Sequence, residues 1–287
     1  MLLRTHLPSP PLSSFVEMMW YYSSARPELD QATEPQPAQP WPTHRREHVL
    51  PDGSTELVIN LDGAPRKRFD PTDPRRFDTF RRAWVSGPQP EFILIDVLPQ
   101  ATMMGAHFKP AGLAAFLQVP VHLLAGEVVE LDQLWGPAVG DLRDMLLETS
   151  GIAAKFSVLE SFLRRRLQCQ APVLTVAAAL RRFLSEPDAT ASIAEIAGDL
   201  GVSHKHLIHC FRAEVGLSPK RFRRIQRFQR TLRNLRSQPV TDWADMACAA
   251  GYYDQAHLIN DFRELSGLTP VGYLQHPGAD NRFVPIA

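Results

Sequence analysis

Two groups of polar side chains stand at spacings that place each group on one face of a helix. His204, Lys205, His209 and Arg212 form the first; Gln255, Asn260 and Arg263 form the second. On the opposite faces lie Leu207 and Phe211 in the first segment, and Leu258 and Phe262 in the second. Residues three and four apart share a helix face, so each segment has an apolar side to bury and a polar side to present. Arg, Lys, Asn, Gln and His carry the donors and acceptors that reach base edges in a major groove. The chemistry on offer is recognition rather than bond making. A catalytic or metal reading has less behind it. His44 and His48 are four apart but flanked by Pro42 and Pro51, His107 is distant, and no acid completes a ligand set. Neither a glycine-rich phosphate loop nor a nucleophile elbow is present. The expectation is a non-enzyme with no metal and no cofactor.

The elements that position these faces form an internal repeat. Ala197 and Gly201 recur 50 residues later as Ala247 and Gly251, whereas Leu207, Phe211, Gly216, Pro219 and Phe222 recur 51 residues later as Leu258, Phe262, Gly267, Pro270 and Tyr273. One residue is therefore inserted just after the turn of the second copy. Each copy reads as a helix-turn-helix. A short helix (Ile193, Ile196, Ala197, Leu200 in the first) ends at a glycine suited to a left-handed position, and Ser203 or Asp254 caps the next helix. A small residue, Ala197 or Ala247, lets the two helices cross closely.

Between the copies, Ser218 and Pro219 open a helix running to about Arg236, with Phe222, Ile225, Phe228, Leu232 and Leu235 as its buried stripe. The rest of it carries eight basic residues and no acid: Lys220, Arg221, Arg223, Arg224, Arg227, Arg230, Arg233 and Arg236. Phosphate contact by some of these is expected.

The chain has 287 residues, room for about two domains, with 44% hydrophobic and 22% charged residues, which excludes wholesale disorder. The zero net charge splits unevenly: residues 1–171 carry 17 basic and 20 acidic side chains, residues 172–287 carry 14 and 11. Of the 25 prolines, 18 lie in the first 140 residues, which favours loops and edge strands there and helices later. Strands are expected at Thr55–Leu61, Phe92–Leu98 and Thr102–Phe108, a mobile loop over 23–47, and a solvated hairpin or loop over 65–82, where seven Arg and Lys cluster. Helical character begins at Ala111, and helices are expected at Pro137–Glu148 and Ala153–Leu167. No apolar run is long enough for a membrane helix and no leader is evident; with three scattered cysteines, a cytoplasmic location is expected.

Residues 172–276 resemble the DNA-binding domain of the AraC/XylS regulators, carried by "IAEIAGDLGVS" and "GYYDQAHLINDFRELSGLTPVGYL". "PDGSTELVINL", "VSGPQ" and "FKPAGLAAFL" resemble a subgroup with cupin-like sensor domains. The resemblance implies an α+β chain: a β-rich sensor over 1–115, a helical connector or dimerisation segment over 116–171, an all-α DNA-binding domain over 172–276 with helix-turn-helix units at 193–213 and 243–264, and a tail over 277–287. It implies base readout by His204, Lys205, His209 and Arg212, and by Gln255, His257, Asn260 and Arg263. Phosphate contacts fall to Ser203, Lys220, Arg224 and Arg227. His209 and Asn260 stand where the family often has arginine, which concerns the preferred sequence more than the activity. Expected partners are double-stranded DNA, a small-molecule effector, RNA polymerase and a second copy of the chain, with no membrane. The function implied is sequence-specific, effector-responsive transcription regulation. The alternatives are a cupin-like metal enzyme, or a constitutive architectural binder, carrying the same DNA-binding module.

Cys210 and Cys248 are expected as small core residues on apolar helix faces, with Cys169 near the domain boundary. His206 and His257 are equivalent in the repeat, and serve either neighbouring structure or phosphate.

Overall fold

The computed structural model describes residues 2–24, 44–168, 173–185, 191–237, 242–276 and 281–286. The loop expected over 23–47 and Cys169 fall largely or wholly outside them. The strands are β1 (Leu2–His6), β2 (Val16–Ser23), β3 (Arg46–Val49), β4 (Thr55–Asn60), β5 (Arg66–Phe69), β6 (Phe77–Phe80), β7 (Ala83–Ser86), β8 (Ile93–Asp96), β9 (Thr102–Phe108), β10 (Val128–Glu130) and β11 (Phe283–Ile286). The helices are α1 (Leu131–Trp135), α2 (Ala138–Glu148), α3 (Ile152–Arg166), α4 (Leu174–Ser185), α5 (Ile193–Asp199), α6 (His204–Val215), α7 (Pro219–Ser237), α8 (Trp243–Ala249), α9 (Gln255–Ser266) and α10 (Pro270–Leu274). The Ala111 region is a short 3-10 turn, Gly112–Phe116, rather than a full helix.

All strands pair antiparallel, in two sheets ordered β1-β2-β9-β4-β7-β10 and β11-β3-β8-β5-β6. Side chains alternate across the first sheet. Leu57, Ile59, Val85, Met104, Ala106 and Phe108 point one way and share a core with Leu142 and Leu146 of α2 and Leu159 and Leu163 of α3. The apolar stripes of the connector helices are thus consumed by their own sheet. Val58, Trp84, Trp20 and Met103 point the other way and meet Phe80 of the second sheet.

Two boundaries differ from the sequence reading. β10 pairs with β7, so the first sheet closes at Glu130 rather than at 115. The tail is no appendage: β11 pairs with β3, Val284 opposite His48, and so completes the edge of the second sheet. A pairing between residues more than 230 positions apart leaves no trace in local periodicity.

The tail also brings Arg282 to a polar cluster between the sheets. Its guanidinium lies 2.5 Å from Oε2 of Glu56, which sits 2.7 Å from Nδ1 of His107 directly across β4 and β9. The Trp20 indole N–H donates to the same carboxylate. Burial works against ionised Glu56, but Arg282, His107 and Trp20 outweigh it and hold the carboxyl at about 2. Burial likewise opposes a charged His107, yet the hydrogen bond and charge of Glu56 raise its pKa overall.

The two shifts have opposite consequences for stability. His107 binds its proton more tightly in the folded chain, so its contribution is complete below about 6.5 and is lost as pH rises through the raised folded value. Glu56 contributes fully above about 4.5 and loses its contribution as acid approaches about 2. Urea midpoints measured against pH should therefore fall on both limbs, and His107→Gln should flatten the neutral-to-alkaline fall while only shrinking the acid limb, which Arg282 and Trp20 still support. An unchanged alkaline limb in that variant would show that His107 carries none of it.

Candidate nucleic-acid interface

Each recognition segment folds as its spacing demands. α5 opens on a capping box, Ser192 accepting the Glu195 N–H and Glu195 accepting the Ser192 N–H. It closes at Gly201, whose φ is +69°, and Gly251 repeats this at +76°. Ser203 caps α6 by accepting the His206 N–H at 3.1 Å, and Asp254 caps α9 by accepting the His257 N–H at 2.7 Å. Leu207, Phe211, Leu258 and Phe262 are fully buried. Phe211 packs edge-on against Phe183 of α4 and Phe222 of α7, while Phe262 meets Phe228 of α7. One long helix thus supplies the core of both units. At 19 residues α7 is about 28 Å long, comparable with one turn of duplex DNA.

The opposite faces are open. His204, Lys205, His209 and Arg212 are exposed on α6, and Gln255, His257, Asn260 and Arg263 on α9. His257 has a local engagement as well: its Nδ1 accepts the Tyr253 N–H at 3.4 Å and its ring stands edge-on to Tyr252. His206 is exposed and lies 3.4 Å from the Cys210 sulfur, which is half-buried. Cys248 is exposed on α8, not in the core, because the short helix buries only Ala247.

The four residues assigned to phosphate separate into two kinds. Ser203 and Lys220 are exposed. Arg224 instead lies 2.6 Å from Asp261 and 2.5 Å from Glu264 of α9, and Arg227 lies 3.3 Å from Asp261 and 4.3 Å from the Tyr252 ring centre. Hydrogen bonds to Glu264 and Asp261 raise the Arg224 pKa further, against the effect of burial. Arg221 bridges Glu264 and Glu91, and Arg223 donates to the Ala191 carbonyl. The helix has no acid of its own; α9 and the N-terminal domain supply them. Arg221, Arg224 and Arg227 fasten the second unit onto α7, while Arg223 holds the entry to α5 of the first.

The N-terminal β-rich domain holds the helix-turn-helix domain at both units and between them. At the end of α6, Gly216 (φ +86°) lies so close to Pro88 that a methyl group there would stand 2.4 Å from the proline ring. At the end of α9, Gly267 faces Phe92 and His48, whose Nδ1–H donates to the Ser266 carbonyl at 2.8 Å. In the middle, Gln226 donates to the Asp52 carbonyl at 2.7 Å, and Gln229 to the carbonyls of Pro51 and Asn281. Leu50 and Val284 join Ile225, Phe228, Leu232 and Phe262 in one core. Sequence reading missed Gln226, Gln229 and Arg282. Two glutamines inside an apolar stripe were the only local sign that α7 buries polar groups against another domain.

Of the remaining histidines, His44 lies 2.6 Å from Glu47, and no group of three metal-ligating side chains occurs among the described residues. No described helix is long and apolar enough to cross a membrane.

Residues 196–276 match the family described as "Helix-turn-helix domain", and residues 4–130 match "Domain of unknown function (DUF6597)", ending where the first sheet ends. No curated protein matches. Among solved structures, ToxT from Vibrio cholerae covers 80% of this chain and 96% of its own at 8% identity and TM-score 0.46. Its unsaturated fatty acid-bound form covers 83% and 93% at 12% identity and TM-score 0.45. A DNA-binding transcriptional dual regulator from Escherichia coli K-12 covers 37% and 91% at 23% identity and TM-score 0.32. At these scores the likeness adds nothing to what the domain families and the geometry establish. Residues 196–276 are thus a helix-turn-helix domain, here duplicated about one long helix and following a β-rich domain, an arrangement that resembles the AraC/XylS family of DNA-binding transcription regulators.

Proposed function

We propose that the chain is a sequence-specific regulator whose N-terminal half senses a small molecule and controls how two recognition helices meet DNA. The observation that carries this reading is the pair of exposed polar faces on α6 and α9, set in equivalent frames and joined by one helix. Base readout falls to His204, Lys205, His209 and Arg212 in the first unit and to Gln255, His257, Asn260 and Arg263 in the second. Ser203 and Lys220 take phosphates, while Arg224 and Arg227 position the second unit.

The sensor contacts at Gly216, at α7 and at Gly267 support a coupling role, since a shift in the sheets moves both units together. An effector acts only through unequal affinity for two arrangements. A cleft of about 700 Å³ beside α1, α2 and the end of α3, lined by Leu134, Met145, Arg165 and Arg166 among others, is of a size that holds small ligands. A homodimer, contact with RNA polymerase and a cytoplasmic setting belong to the same proposal.

Selection of genomic fragments by the full-length protein at about 0.15 M salt, where sequence-blind phosphate binding is weakened, tests the reading. Enrichment of one motif with two short blocks is expected. Enrichment without sequence preference would instead favour the architectural binder.

A further inference from the structure

The second unit contains one residue that the first lacks, and the hydrogen bonds identify it. After the turn, the Val202 N–H donates to the Ala197 carbonyl at 3.0 Å, and the Tyr252 N–H donates to the Ala247 carbonyl at 2.9 Å. Tyr252 is therefore the counterpart of Val202. Ser203 and Asp254 are counterparts as helix caps. Tyr253, between Tyr252 and Asp254, has no counterpart. It is 89% exposed, whereas Tyr252 beside it is 4% exposed.

Its position is where a recognition helix enters the groove, with the first residues of the helix nearest DNA. There the two caps differ in what they offer a phosphate. The Ser203 hydroxyl oxygen accepts from His206 and its O–H remains a donor. Asp254 makes the same cap with a carboxylate, which is acceptor-only and repels a phosphate. The second unit keeps its cap and loses the donor. A tyrosine hydroxyl is an ordinary phosphate partner, and its two rotatable bonds make it cheap to order.

We infer that Tyr253 is the phosphate anchor of the second unit, its hydroxyl replacing the donor that Ser203 supplies in the first. This rests on the regulator reading, and it concerns a positioning contact to the DNA backbone rather than a base.

The test measures binding of full-length variants to the selected duplex and to single-base variants of it at several salt concentrations. Tyr253→Phe should weaken binding roughly 5-fold to 10-fold, by the same factor on every duplex. The slope against salt should be unchanged, because a neutral hydroxyl displaces no counterion. Replacing Asp254 by Ser should restore a donor, so Tyr253→Phe in that background should cost less than about 2-fold. An exposed ring carries no core packing, so thermal melts should match the wild type. Wild-type affinity in Tyr253→Phe overturns the assignment. So does a Tyr253→Ala variant that changes preference at one base pair while Tyr253→Phe does not. A wild type that selects no sequence sinks the regulator reading alone, since the Tyr253→Phe comparison still reads out on unselected duplex.

Discussion

Replacing Arg212 and Gln255 together by alanine should reduce affinity for the selected site by about 2–6 kcal/mol, roughly 30-fold to 10⁴-fold, with little change on unselected DNA. Each is exposed on the polar face of its recognition helix, and losing one base-reading side chain costs about 1–3 kcal/mol. The two belong to different units, on α6 and α9, so their effects should add. Competition titrations against duplexes altered block by block provide the check. Arg212→Ala should lose discrimination in one block and Gln255→Ala in the other. Selected-site affinity unchanged in the double variant would remove both residues from the readout.

Arg282→Met should destabilise the N-terminal domain and its grip on α7 by about 3 kcal/mol, the lower end for breaking a buried ion pair, because His107 and Trp20 still hold Glu56. Its partner is a carboxylate held at about 2, so the variant leaves a charge between the sheets without its guanidinium. β11 should loosen with it. Amide exchange at Phe283, Val284 and Ile286 should accelerate, as should exchange in the β3 residues they face. Glu56→Gln added to Arg282→Met should recover part of the loss, since removing both charges is milder than orphaning one. A double variant no more stable than the single one would place the effect in strand packing, at Val284, rather than in the ion pair.

What the sequence makes legible follows from which interactions are local. The repeat appears because a helix-turn-helix states its needs within some 20 residues: Ala197, Gly201, the cap at Ser203, then Leu207 and Phe211. β4 and β9 are legible because Pro51, Asp52 and Gly53 precede one apolar run and Pro99 precedes the other. The contacts joining the halves are not legible. His48 meets the Ser266 carbonyl, and Arg282 meets Glu56, across more than 200 residues. The arginines of α7 look like one unpaired positive face in sequence, yet Asp261 and Glu264 reach Arg224 only after α9 folds back onto the helix. Cys248 looked apolar by its neighbours, but a seven-residue helix buries only one narrow edge.

Footprinting of guanine N7 on the selected site tests most directly the claim that both units read DNA at once. Full-length protein should protect two major-groove blocks about 10 base pairs apart on one face of the duplex. Arg212→Ala should expose one block and Gln255→Ala the other. A single protected block, or loss of the same block in both variants, would contradict it.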